Sequence, residues 1–587
     1  MFKRRIICLV GLVMVLMHDM RAITSIIPAG LLSNQQIASS SLDNDALGSS
    51  SESTISTGLF VIEKTGYYFL ANDVVANPTY PNNAIIYIDA SNTILDLGGK
   101  TLSLSSTSHT SNIIGIKIAP GRTNVTIFNG GIIGYSSLTV PETSYPISSI
   151  NRLVIGIDAD GNGNIQLQDL LISECASFGI AISNTNDIKV KNVSTQSIGG
   201  VVSTLSPLCG AQFSSCRSCF ITDSVFDYTN SVYEDGNNVY GLRLNACGNV
   251  TISNVSTSSN QAFGSGNVYG LSLLNSTGCR IDQVHAVNNL VSNDDAPSQI
   301  SAGIILDGST GNTLKNCITN SQLNNGANIL TCTTYGVRIT ASSNSNNFIG
   351  CISSDNVGGA SSEGFSLNAS SYNIFEKCIA NGNNSPYPGI SNITVYGFHS
   401  EFGTGNIFSY CEARGNSVYL GAVDETALDG LGATPQQVAT QLVSGISIRS
   451  ENASSILFST ISSNLGGALG TVYGIRLYGG CQGCTVSYNE IFSNLGFKTY
   501  GFKDYAAHCS TLLRGNIAYG HGNVFWGGEG VITDSGNMNY MMSYANSADQ
   551  MSVQMVVKES DIANMNAFEV SSTKWYNFSI LGKAISG

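Results

Sequence analysis

Tyr240-Gly241-Leu242-Arg243-Leu244 is followed by Tyr269-Gly270-Leu271-Ser272-Leu273. The phrase returns as Tyr335-Gly336-Val337-Arg338-Ile339, Tyr396-Gly397-Phe398, Tyr473-Gly474-Ile475-Arg476-Leu477 and Tyr500-Gly501-Phe502. Forms without the tyrosine sit at Gly115, Gly156, Gly179, Gly210, Gly303, Gly364 and Gly445, and most neighbouring glycines lie 27 to 33 residues apart. A repeat of that length is one supersecondary unit stacked on copies of itself. With the glycine as position 0, positions +1 and +3 are apolar in nearly every copy, as at Leu242 and Leu244 or Ile475 and Leu477. That alternation makes each phrase a strand with one buried face. A Ser/Asn/Gly turn follows, then a second short strand with apolar residues three apart, as at Ile252 and Val255 or Ile281 and Val284.

Short strands repeated at fixed length must pair with their counterparts in the next unit, which winds parallel sheets into a coil. Parallel crossovers are overwhelmingly right-handed, so the expected fold is all-β, a right-handed parallel β-helix solenoid of about 13 or more rungs. At ~4.8 Å per rung this is a rod roughly 60 Å long. A propeller would need antiparallel hairpins, and the Asn-Gly hairpin signal is not repeated.

A repeat array makes length a poor guide to domain number, and the 587 residues divide by pattern instead. Lys3-Arg4-Arg5 followed by the apolar run Ile6 to Met17 reads as a signal peptide over residues 1–22. Residues 23–57 form a Ser-rich leader, 58–532 the β-helix and 533–587 a C-terminal cap over the open end. Thr434-Pro435-Gln436-Gln437-Val438, inside a rung lengthened by residues 418–444, reads as a short helical insertion. The expected location is secreted or cell-surface, with no transmembrane span after cleavage. A net charge of −13 without a basic stripe excludes a nucleic-acid partner.

The N-terminal stretch Gly66-Tyr67-Tyr68-Phe69-Leu70, Ile85-Ile86-Tyr87-Ile88-Asp89-Ala90-Ser91-Asn92 and Ile94-Leu95-Asp96-Leu97-Gly98-Gly99-Lys100-Thr101-Leu102, with the rungs after it, resembles the first coils of the pectate-lyase-like β-helix superfamily. The resemblance spans roughly residues 60 to 530. It implies the fold and leaves the reaction open, because that superfamily includes lyases, hydrolases, esterases, tailspikes and non-catalytic surface proteins. It also implies that the sheet carrying the first strand forms the ligand cleft.

Several motifs are weaker than they look. Asp158-Ala159-Asp160-Gly161-Asn162-Gly163-Asn164-Ile165, ending at Asp169, matches a calcium-loop spacing but aligns without a gap on an ordinary rung, so the plain rung is the expectation. No metal or cofactor is expected, with calcium the one candidate. Cys317, Cys351, Cys378 and Cys411 fall at one inward position and read as stacked small hydrophobes. Turn disulfides are expected among Cys216, Cys219, Cys247 and Cys279. Gly520-His521-Gly522, Asp294-Asp295 and Asn184-Thr185-Asn186-Asp187 echo a polygalacturonase set, yet lie over a hundred residues apart, too far to flank one bond.

The functional lead is the outward face. Positions +2 and +4 carry Arg338, His399, Arg476 and Lys503, and Glu401, Arg449, Tyr478 and Tyr505. Cations neutralise uronate carboxylates and tyrosines stack on sugar rings. The first reading is therefore a non-catalytic rod binding a polysaccharide or surface glycan through Arg338, Glu401, Arg449, Arg476, Tyr478 and Tyr505. The alternative is a polysaccharide lyase acting on uronic-acid glycans, with His399 and Lys503 as catalytic residues and His399, Lys503 or Tyr505 as the base.

Overall fold

The computed structural model describes most of residues 58–544, together with Asn34–Ile37 and Met551–Val556. Internal stretches outside it are 77–83, 105–112, 135–152, 200–206, 232–236, 293–298, 325–331, 387–392, 419–440 and 505–510, with a few shorter ones. The chain is an all-β parallel solenoid, and no helix occurs among the described residues. The signal segment 1–22 and the helix expected at Thr434–Val438 lie outside the described residues. Within the Ser-rich leader, Asn34–Ile37 forms a strand laid parallel on Gly66–Leu70.

The repeated phrases form one sixteen-stranded sheet in which each strand pairs with its counterpart one repeat away. Thr333–Thr340, Ser361–Asn368, Thr394–Glu401, Leu442–Arg449, Thr471–Tyr478 and Lys498–Asp504 are consecutive members, all parallel. The second strands of each repeat form another long parallel sheet. In the region expected to cap the coil, Met538–Tyr544 and Met551–Val556 pair antiparallel, which ends the parallel order.

Between the sheets runs one apolar core built from positions +1 and +3 and their partners on the second sheet. Phe348, Phe375 and Phe408 stack at 4.7 and 5.0 Å, and Phe365 stacks on Phe398 at 4.9 Å. Each buried ring removes an apolar side chain from water, which stabilises the coil by roughly 1.5–3 kcal/mol. The turns are held by buried asparagine columns. In one, Asn356, Asn383, Asn416, Asn464 and Asn494 pass an amide hydrogen bond from rung to rung at 2.7, 2.8, 2.9 and 2.8 Å. In another, Asn312, Asn346, Asn373 and Asn406 do the same at 3.0, 3.1 and 3.3 Å. The same carbonyl oxygens also accept a backbone N–H from the preceding rung, for example Asn383 to Asn416 at 3.2 Å. Turns buried inside a coil have no water to satisfy them, and these amides supply the missing partners.

Cys317, Cys351, Cys378 and Cys411 occupy one buried column as free thiols. Cys216, Cys219, Cys247 and Cys279 are buried free thiols as well, so the expected turn disulfides are not formed in this structure. Their thiols donate to backbone carbonyls, Cys216 to Ser214 at 3.3 Å and Cys247 to Phe213 at 3.2 Å.

Candidate functional site

The outer face of the long sheet is shaped by the glycine of each phrase. The ladder pairs the residue before the glycine and the residue after it, Tyr240 with Tyr269 and Leu242 with Leu271, and passes over the glycine itself. A Cβ on Gly364 would lie 2.6 Å from the Gly397 carbonyl oxygen and 2.8 Å from the Ala380 side chain, so only glycine fits between the rungs. This break puts position −1 on the same outer face as position +2, where strict alternation would send it inward. Tyr240, Tyr269 and Ile305 accordingly form a cluster of their own, with Tyr335 against it, apart from the central core.

Two columns therefore lie side by side along the rod. At −1 run Tyr335, Glu363, Tyr396, Ser444, Tyr473 and Tyr500, and at +2 run Arg338, Ser366, His399, Ser447, Arg476 and Lys503. The +2 group lies over the −1 ring of its own strand. Arg243 sits 4.9 Å from the Tyr240 centroid, Arg338 4.9 Å from Tyr335, Arg476 5.1 Å from Tyr473 and Lys503 5.1 Å from Tyr500. His399 stacks on Tyr396 at 4.3 Å. A cation over an aromatic face is attracted by the ring quadrupole.

The centre of this strip is an ion pair between neighbouring strands. His399 Nδ1 lies 3.1 Å from Glu363 Oε2, and both side chains are about nine-tenths buried. Burial alone would lower the His399 pKa, but the Glu363 carboxylate outweighs it, with help from Glu401 and Glu451, and the net shift is upward. Burial would likewise raise Glu363, yet the His399 charge and the Ser366 and Ser361 hydroxyls hold it below its ordinary value. Opposite charges stabilise each other's ionised forms, which is the direction seen on both partners. His399 Nε2 has no hydrogen-bond partner.

Around the pair, Glu401 accepts from Asn368 at 2.6 Å and from Arg449 at 3.3 Å. Arg449 also stands over the Phe402 and Tyr478 rings, at 5.3 and 5.5 Å. Arg476 lies 3.9 Å from the Tyr478 centroid. Inside the turn below, Glu451 is fully buried, accepting from Ser400, Ser454 and Asn406. Burial outweighs those donors and raises its pKa.

The sequence-selected residues thus fall into two groups. His399, Glu401, Arg449, Arg476 and Tyr478 are gathered over three adjacent strands. Arg338 lies two strands to one side of His399 and Lys503 three to the other, so roughly 14 Å of rod separates His399 from Lys503. Tyr505 lies outside the described residues. Glu363 was missed, although it stands where six other phrases carry tyrosine, and an acid replacing that ring was the signal.

The calcium-like stretch is two strands, Leu153–Asp160 and Gly163–Ser173, joined by a tight turn. Asp158 pairs with Lys117 at 3.4 Å, and Asp160 accepts from Ser183 and Asn184 at 2.6 and 2.8 Å. No cluster of three metal-ligating side chains occurs among the described residues. Nor does any described helix have the length and apolarity to cross a membrane.

No known family pattern matches the chain, and no curated protein does. Solved structures similar to it include a mutant periplasmic alginate epimerase, at 13% identity, with 70% of this chain and 84% of that chain covered and a TM-score of 0.35. A tailspike protein mutant of an E. coli bacteriophage, in complex with a pentasaccharide, shows 11% identity, 81% and 74% coverage and a TM-score of 0.31. Both are right-handed β-helix proteins. At these scores the likeness carries no argument about activity. The class of this chain, a parallel β-solenoid, rests on its own ladders, and no specific family is matched.

Proposed function

We propose that this protein is a secreted or surface-exposed right-handed β-helix that binds an acidic polysaccharide along the outer face of the long sheet. The observation that carries the reading is the repeated cation-over-tyrosine pair, one per strand at Arg243, Arg338, Arg476 and Lys503. Such pairs offer a charge for a carboxylate or sulfate and an amphipathic ring edge for the sugar. On a chain of net charge −13, a cationic strip is a local exception, which favours an anionic partner over general solubility. The Lys3-Arg4-Arg5 segment supports export to where such polymers occur. Calorimetric titration with acidic oligosaccharides and their neutral counterparts tests this. Acidic forms should bind more tightly, the advantage should shrink with salt, and Arg476→Ala should weaken binding about tenfold, or ~1.4 kcal/mol. Equal binding of acidic and neutral forms would sink the reading.

A polysaccharide lyase is the second reading, favoured by the Glu363–His399 pair with its partnerless Nε2. A histidine oriented by a carboxylate is a recurring form of general base. Incubation with uronic-acid glycans, with and without calcium, should then release an ultraviolet-absorbing unsaturated product. Activity surviving His399→Ala would exclude that role.

A further inference from the structure

On the strand Leu442–Arg449 both outer positions are serine, Ser444 and Ser447, which no other described strand of this sheet repeats. One neighbouring strand places Tyr396 and His399 beside them, and the other places Tyr473 and Arg476. The two serines should make a gap in the strip. Instead they are 0% exposed. Tyr396 lies on one flanking strand and Tyr478 on the other, so the two tyrosines stand on either side of the serine strand. Arg476 packs on the Tyr478 ring at 3.9 Å. The serines therefore lie buried between strands that carry aromatic side chains.

Three buried polar atoms on adjoining strands have no hydrogen-bond partner, namely Ser444 Oγ, Ser447 Oγ and His399 Nε2. Unpaired buried groups of this kind are costly and rare, and three on adjoining strands point to a common partner. His399 uses Nδ1 on Glu363, which leaves Nε2–H as a donor when the ring is charged. The serine hydroxyls can each donate. Arg449 and Arg476 supply positive charge at the margin. Tyr478 is half-buried at the end of its strand and is followed by Gly479 and Gly480, at φ of 73° and 92°. Two glycines in the left-handed region leave the ring a hinge.

We infer that Ser444, Ser447 and His399 form a seat for a single oxyanion, a carboxylate or a sulfate ester, carried by the bound glycan and admitted when Tyr478 swings aside. The seat rests on the glycan-binding reading and sharpens it. The rest of the strip attracts charge generally, whereas this point recognises one group.

The test uses one oligosaccharide in three forms, carboxylated, sulfated and carboxyl-reduced, titrated into the full protein and into Ser447→Val, which fills the seat. The native protein should prefer at least one charged form over the reduced form by tenfold or more, and which charged form binds tighter assigns the oxyanion. Ser447→Val should lose the preference to within about threefold. Ser447→Ala, which removes the hydroxyl without filling the space, guards against a folding defect and should lose about half of the preference on a logarithmic scale. A preference undiminished in both variants overturns the seat while leaving the binding strip standing. A native protein that binds none of the three forms overturns both.

Discussion

Replacing Asn383 by alanine should unpin two rungs at once. Its Oδ1 accepts from the Asn356 side-chain amide at 2.7 Å and from the Asn356 backbone N–H at 3.3 Å. Its Nδ2 donates to Asn416 Oδ1 at 2.8 Å and to the Ser353 carbonyl at 3.4 Å. Four buried hydrogen bonds at ~1 kcal/mol each set the scale, and the stranded Asn356 N–H adds its desolvation, roughly 1–3 kcal/mol. Neighbouring terms in one network are not additive, so about 3–5 kcal/mol is expected. In a solenoid that loss stays with the affected rung and its neighbours. Native-state hydrogen exchange reads it directly. Amides of residues 352–357 and 379–385 should exchange about a hundredfold faster or more, while those of residues 165–195 keep their rates. Asn383→Asp should also lose protection, because a carboxylate accepts from Asn356 but cannot donate to Asn416. A change under threefold at residues 352–357 would refute the view that these columns hold the turns.

Three further outcomes follow from the same structure. Gly364→Ala must part the rungs around Gly397 and Ala380, at an overpacking cost of about 2–3 kcal/mol, seen as a lower urea midpoint for the local transition. The Glu363–His399 pair contributes fully only above the ordinary Glu value of 4.5 and below the ordinary His value of 6.5, since the first pKa is lowered and the second raised. Glu451, with a raised pKa, contributes most below 4.5 and loses that contribution as pH climbs through its folded value. The melting temperature should therefore fall as pH rises above about 6.5, and His399→Ala should flatten that slope, whereas an unchanged slope would remove the pair from the account. The thirteen described cysteines are buried free thiols, so a maleimide should label them only after denaturation. A bridge among Cys216, Cys219, Cys247 and Cys279 found by mass spectrometry would contradict that.

The coil was legible because its determinants are local. Gly474 and its flanking Tyr473 and Ile475 lie within three residues, and the recurrence of the glycine marks most strands of the long sheet. The outward group at Arg476 was legible for the same reason, since positions +1 and +3 show which way +2 must point. Glu363 was hidden by that very logic. Simple alternation places position −1 inside the coil, and the break at the glycine turns it outward. Its partner His399 lies 36 residues away, so no local pattern pairs them. The asparagines were visible as turn residues, but their role depends on Asn383 and Asn416 meeting across 33 residues. Ser444 and Ser447 looked like ordinary polar positions, and only their full burial beside His399 on the neighbouring strand gives them a role.

The central claim is that ligand lies on the cation-and-tyrosine strip, and residue-resolved hydroxyl-radical footprinting tests it most directly. Tyr335, Tyr478 and Tyr500 are half-buried on the strip. Tyr410, Phe458 and Tyr488 form a separate exposed stack on the turns of the second sheet, 55%, 45% and 45% exposed, and serve as an internal control. Saturating acidic oligosaccharide should protect Tyr335, Tyr478 and Tyr500 and leave the second stack unchanged. Protection of Tyr410, Phe458 and Tyr488 with none at Tyr478 or Tyr500 would place the ligand on the wrong face and contradict the account.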